Sequence, residues 1–222
     1  MFKSLIYKEW IKTRWFIAGF LLLGIIAIAM LYLKTQHDFK FSEAKNIWNG
    51  ILFKNYSYFS SLKFLPLLCG AILGISQYVP EIIDKRIKLT YHLPMNENKI
   101  LLQMMGYGTL VLMVCFSVLI TLFWTISAFY FPKEIISDAM VTITPWFLSG
   151  FAAYFLIGFI VLEPVWRYRL YYTIVSAFFI TLFLYSGMNG AYISMNLTLT
   201  ICTIASSIAL LFSGYRFRKG EQ

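Results

Sequence analysis

Residues 100–131 read ILLQMMGYGTLVLMVCFSVLITLFWTISAFYF, an apolar run without a single charged side chain. A helix crossing the hydrocarbon core of a bilayer needs about 20 such residues. In lipid, only a helix or a closed barrel satisfies every backbone polar group internally. The run therefore predicts a membrane-spanning helix, and it is too long for one straight span. Its excess length, with the glycines of Gly106-Tyr107-Gly108, predicts a bend or an interfacial stretch at its start, the span itself covering about 106–131.

Five more charge-free stretches flank it: Trp15–Leu33, Phe64–Val79, Ile143–Leu162, Leu170–Met188 and Tyr192–Tyr215. Ser61 and Leu62 extend the shortest, giving expected spans of about 15–33, 61–79, 106–131, 143–162, 170–188 and 192–215. Composition agrees. Hydrophobic residues make up 59% of the chain and charged residues only 13%, with a mean hydropathy of +0.71. A soluble domain carries about 25% charged residues, so the bilayer is the expected solvent. The basic start followed by Trp15–Leu33 resembles a signal peptide superficially. Its long apolar run ends at Leu33-Lys34 without a small-residue cleavage site, and it reads as a retained first span. No linker or internal repeat divides the chain. The expectation is an all-α fold: a single transmembrane domain over 1–222, a polytopic bundle of six helices.

Charge sets the orientation. With the amino terminus inside, the inner segments hold Lys3, Lys8, Lys12, Arg14, Lys85, Arg86, Lys88, Lys99, Arg167, Arg169, Arg216, Arg218 and Lys219. The outer segments hold Lys34, Lys40, Lys45, Lys54, Lys63 and Lys133, about half as many, which favours both termini in the cytoplasm. The net charge of +9 therefore reads as cytoplasmic loops facing anionic membrane lipids, not as a nucleic-acid surface. Trp10, Trp15, Trp48, Trp146 and Trp166 fall at or near span ends, as an interfacial belt requires.

Catalytic patterns are missing. His37 and His92 lie in loops outside any HExxH arrangement, and Ser149-Gly150 has no histidine in a later span to activate it. No GxxxxGK[ST] loop is present. Cys69, Cys115 and Cys202 sit in apolar runs and suggest neither a disulfide nor a metal site. The spans lack Asp, Glu, Lys and Arg, which argues against a proton-coupled pump or a selective ion channel. Gln77, Gln103, Asn189 and Asn196 are the amides in or beside spans, either joining helices or lining a weakly polar path. Gly70 and Gly74 form a GxxxG, for packing within the bundle or between two copies. The chain reads as having no enzymatic activity and no cofactor of its own.

Two charged segments carry the remaining information. Met1–Arg14, MFKSLIYKEWIKTR, sets Phe2, Leu5, Ile6 and Ile11 among Lys3, Lys8, Glu9 and Lys12, the pattern of an amphipathic interfacial helix with lysines towards phosphate head groups. From Glu81 to Leu102, EIIDKRIKLTYHLPMNENKILL, Ile82, Ile83, Ile87 and Tyr91 recur at helical spacing until Pro94. Such a stub reads either as an element that docks into a partner or as a solvated connector.

Both segments, with the six-span layout, resemble permease subunits of type-2 ATP-binding-cassette transporters. Lys8, Glu9, Trp10 and Arg14 match that family's surface helix. Glu81, Asp84-Lys85-Arg86, Leu93-Pro94 and Asn96–Leu102 follow the order found after its second span. Arg86-Ile87-Lys88 replaces the family's Arg-Gly-Thr step, and only 187–191 remain for its re-entrant hairpin. The resemblance implies a cytoplasmic ATPase subunit carrying ATP and Mg, and a second permease copy or a sister permease. It also implies a place in a bacterial cytoplasmic membrane and export of a lipidic, amphipathic or peptide cargo. In this reading Glu81, Ile82, Ile83, Asp84, Lys85, Arg86, Ile87, Lys88 and Tyr91 couple to the ATPase. The alternative is a membrane scaffold holding a cytoplasmic partner without moving cargo.

Overall fold

The computed structural model describes residues 2–41, 44–53, 56–83, 97–185 and 192–219. Among these, all long regular elements are α-helices: α1 (Phe2–Phe41), α2 (Ala44–Phe53), α3 (Leu65–Ile83), α4 (Glu97–Tyr130), α5 (Lys133–Leu162), α6 (Trp166–Leu184) and α7 (Asn196–Lys219). A short 3-10 turn, Ser60–Leu62, leads into α3. Among the described residues, five stretches are long and apolar enough to cross a membrane, and they lie in α1, in the 3-10 turn with α3, in α4, in α5 and in α7. Phe129, Met30, Trp15 and Phe178 are left largely exposed, a surface that suits lipid rather than water. The chain is an integral membrane protein by these features.

The sixth expected span is not among the five. α6 opens with Trp166, Arg167, Tyr168 and Arg169, and these polar and aromatic side chains dilute its hydropathy. The last residues expected of that span, 186–188, lie outside the described residues. Helix boundaries also differ from the charge-free runs. No break separates an interfacial helix over 1–14 from a span at Trp15: α1 is one helix of 40 residues, about 60 Å long. Neither proline nor glycine interrupts its first four turns, and Lys8 and Lys12 find carboxylates inside the molecule, as shown below. α4 likewise continues as helix through Gly106-Tyr107-Gly108. Two glycines cost a helix about 1 kcal/mol each, which packing readily offsets. α5 starts a full ten residues before the expected span at Ile143.

α3 and α5 form the closest pair at the centre, with α7 on the far side of α5 and α1 beside both α3 and α4. Glycine makes the central contact possible. A Cβ on Gly70 would stand 1.8 Å from the Gly150 carbonyl oxygen, and one on Gly150 would stand 2.5 Å from the Pro66 carbonyl oxygen. A Cβ on Gly74, one turn on, would stand 3.1 Å from Ile157. The GxxxG therefore packs inside this chain, small residues letting two backbones approach. Trp146, Tyr78, Tyr154 and Phe59 are completely or almost completely buried around this seam.

Pro145 lies inside α5 and has no N–H for the carbonyl four residues back, Val141. The Asn196 side-chain amide, at the start of α7, donates to that carbonyl at 3.4 Å. At the end opposite the amino terminus, Phe131, Ile136 and Ile51 pack together, with Trp48 of α2 and Phe39 of α1 against them.

Two stability outcomes follow. Gly70→Ala is expected to destabilise the detergent-solubilised protein by about 3 kcal/mol or more, because backbone stands where the methyl must go. Gly106→Ala, whose Cβ meets nothing within 4 Å, is expected to be neutral or stabilising by up to about 1 kcal/mol. Thermal unfolding monitored by tryptophan fluorescence distinguishes them. Asn196→Leu is expected to lower the same midpoint, and less so in a Pro145→Ala background where Val141 regains its helical donor.

Candidate functional site

Glu81 lies near the last described residue of α3 and is 0% exposed. That burial is met from α1, on which Lys8 and Lys12 stand one turn apart on the same face. Lys8 Nζ lies 2.9 Å from Glu81 Oε1, and Lys12 Nζ donates to the same oxygen. Glu9, 1% exposed, joins them: its Oε1 is 3.0 Å from Lys12 Nζ and 3.8 Å from Lys8 Nζ. Two carboxylates and two ammonium groups thus balance in charge at one end of the bundle.

The cluster extends to α4. The Thr13 hydroxyl donates to the Glu9 backbone carbonyl at 2.9 Å and meets the Tyr107 hydroxyl at 2.8 Å. One turn back along α3, Gln77 is fully buried. Its Nε2 donates to the Met104 carbonyl of α4 at 2.8 Å, and its Oε1 accepts from the Tyr154 hydroxyl of α5 at 2.8 Å. Tyr78 and Tyr154 hydroxyls are 3.1 Å apart. Gly108 gives Tyr154 its room, since a Cβ there would stand 2.1 Å from that hydroxyl oxygen. Two polar storeys, Glu81 and Gln77, therefore tie α3 to α1, α4 and α5.

A second ion pair closes the other side of the same end. Glu163, fully buried at the carboxyl cap of α5, pairs with Arg216 of α7, Nη1 to Oε1 at 3.1 Å. Arg216 Nη1 also donates to the Tyr172 hydroxyl at 3.3 Å, and its guanidinium lies over the Tyr168 ring. Arg169 donates to the Glu163 carbonyl at 2.8 Å and to the Val161 carbonyl at 3.3 Å, satisfying carbonyls that the end of α5 leaves open.

Burying an ion costs several kcal/mol after relaxation, so such groups persist only when paired and hydrogen-bonded. The pairing is incomplete: Glu9 Oε2 and Glu81 Oε2 are buried without a hydrogen-bond partner among the described residues. A buried cluster of this kind adds little net stability over well-packed apolar residues, but breaking it by removing one partner is costly.

The sequence-derived candidates fall into three groups. Glu81, Lys8, Glu9 and Gln77 meet in the polar end just described. Lys8 points to Glu81 there, while Trp10 and Arg14 are exposed and Arg14 lies over the Trp15 ring. Ile82 packs against the core, and Ile83 is 73% exposed. Gln103 is half-buried on α4, and Asn196 joins α7 to α5. Asp84, Lys85, Arg86, Ile87, Lys88, Tyr91 and Asn189 lie outside the described residues, as does His92. Ser149 is buried, its hydroxyl donating to the Trp146 carbonyl at 2.6 Å, and His37 is exposed beside Asp38. Thr13, Tyr107, Tyr154 and Glu163 were not singled out by sequence, and Lys12 was read only as a head-group lysine of the amino-terminal segment. The i, i+4 spacing of Lys8 and Lys12 signalled that they share a helix face, but not what that face meets. Searches of protein-family models, curated proteins and solved structures find no match to the chain.

Removal of one partner from the buried quartet leaves an uncompensated ion. Glu81→Ala and Lys12→Ala are each expected to destabilise by about 3–5 kcal/mol, with the double variant losing clearly less than the sum. Chemical or thermal unfolding of the four proteins in one detergent reads the coupling.

Proposed function

We propose that this chain is the transmembrane subunit of an ATP-driven exporter of the type-2 ATP-binding-cassette class, lying in a bacterial cytoplasmic membrane. It crosses six times with both termini in the cytoplasm, α6 supplying the fifth crossing in chain order besides the five stretches named above. Two copies, or one copy with a sister permease, join two cytoplasmic ATPase subunits that hold ATP and Mg. The cargo is lipidic, amphipathic or peptide. The charge-free apolar runs favour such molecules over small ions.

One observation carries the reading: the buried quartet of Lys8, Glu9, Lys12 and Glu81, at the foot of the charged segment 84–99. An ATPase subunit engaging that segment pushes on the end of α3. The quartet ties α3 to α1 there, and Thr13 with Tyr107 ties α1 to α4. A displacement of the segment is then delivered to three helices as one body, a lever suited to rocking spans around a central path. Ile83 presents an exposed apolar side chain beside this foot. Ile87 continues the docking face by helical spacing, and Asp84, Lys85, Arg86 and Lys88 set its register by charge.

The test is co-purification with a nucleotide-binding subunit followed by ATPase assay in lipid. Ile83→Asp and Ile87→Asp are each expected to weaken assembly about tenfold or more and to lower the stimulated ATPase rate accordingly. Failure of any such subunit to associate removes the transporter reading. Stable association without a nucleotide-dependent change of conformation selects the scaffold instead.

A further inference from the structure

Between α1 and α4 a groove of about 700 Å³ opens along the outer face of the bundle. Ile6, Trp10 and Ile17 form one wall, and Leu102, Gly106 and Leu110 the other. Trp10, Leu102 and Leu110 are exposed, so the groove opens outward. It reaches from Ile6 to Leu21 on one helix and from Leu102 to Cys115 on the other. At about 1.5 Å rise per residue this is about 20 Å, the depth of one leaflet with its head groups. The lining is apolar almost throughout, and at mid-length nothing lies within 4 Å of where a Gly106 Cβ would stand.

The two ends differ in chemistry. At the Ile6 and Leu102 end, helical register places Lys3 on the face of Ile6 and Trp10, and Lys99 on the face of Leu102 and Gly106. Both lysines are exposed. Glu9, the acidic residue beside Trp10 in sequence, is turned away from solvent onto Lys12. At the Leu21 and Cys115 end the groove is purely apolar. A cationic mouth with an amphipathic indole, leading to an apolar slot one leaflet deep, complements an anionic phospholipid. A second copy of the chain suits it less, because a two-fold contact centred on this mouth sets Lys3 and Lys99 against their own equivalents.

We propose that this groove binds one anionic phospholipid, with an acyl chain laid against Gly106 and the phosphate held by Lys3 and Lys99. The site requires the membrane setting alone and is independent of the transport reading.

Native mass spectrometry of the delipidated full-length protein tests it, with phosphatidylglycerol and phosphatidylcholine of identical chains as probes. Wild type is expected to retain one phosphatidylglycerol about 25-fold more tightly than phosphatidylcholine, each lysine contributing about fivefold. Lys3→Gln with Lys99→Gln is expected to abolish that preference, weakening phosphatidylglycerol far more than the zwitterionic phosphatidylcholine. Gly106→Leu, which fills the slot without meeting a neighbour at Cβ, is expected to weaken both lipids about tenfold. Lys34→Gln with Lys133→Gln, at the opposite end, is expected to change nothing. Equal retention of the two lipids by wild type overturns the proposal. So do an undiminished preference in the Lys3/Lys99 variant, unchanged binding in Gly106→Leu, and equal loss in the Lys34/Lys133 control.

Discussion

A carboxylate sealed from water is a costly arrangement, and Glu81 is one. Desolvation opposes its charge. Cations brought from another element offset that cost, and α1 passes close to α3 there with Lys8 and Lys12 facing it. Glu9 balances the second ammonium group, and Thr13 carries the connection to Tyr107. The relative register of α1, α3 and α4 is set by this requirement. On its other side α3 is held by backbone approach at Gly70 and Gly150, a contact with no tolerance for even one methyl group. α3 is thus fixed electrostatically at one end and sterically along its length.

The two ends of the bundle differ in kind. Ions and hydroxyls dominate the end with the amino terminus: the quartet, the Gln77–Tyr154–Tyr78 group and the Glu163–Arg216 pair. The opposite end is held by aromatic rings, among them Tyr58 stacked on Phe131 and Phe59 against Trp146. Ion pairs in low dielectric have few satisfactory geometries, whereas apolar ring contacts adjust gradually. An end built from discrete pairs is a reasonable place to receive a mechanical input, which is why the proposed coupling starts there.

The membrane character and the all-helical class were legible in residues 100–131 and in the scarcity of charge. Helix ends were not. Charge-free runs mark where lipid is tolerated, while helices stop where hydrogen bonding and packing stop. α1 therefore absorbs its charged first fourteen residues, and α5 begins at Lys133. The functional residues divide in the same way. Gln77 and Asn196 were identifiable as amides in apolar surroundings, but Asn196's partner, the carbonyl that Pro145 leaves open, depends on which helices are neighbours. Lys8 and Lys12 read as head-group anchors because no one-dimensional pattern joins them to a glutamate some seventy residues away. Gly108 and Gly150 carry no sequence signal of their packing role: their meaning is the Tyr154 hydroxyl and the Pro66 carbonyl that stand over them.

The most direct measurement concerns which side of the membrane the ion-bearing end faces. In a background lacking Cys69, Cys115 and Cys202, a cysteine replaces exposed Ile83 at that end, or Lys133 at the other. Intact and permeabilised cells are then treated with a membrane-impermeant maleimide. The expected result is labelling at position 133 in intact cells and at position 83 only after permeabilisation. Labelling of position 83 in intact cells puts the quartet outside, beyond reach of any cytoplasmic ATPase, and contradicts the account.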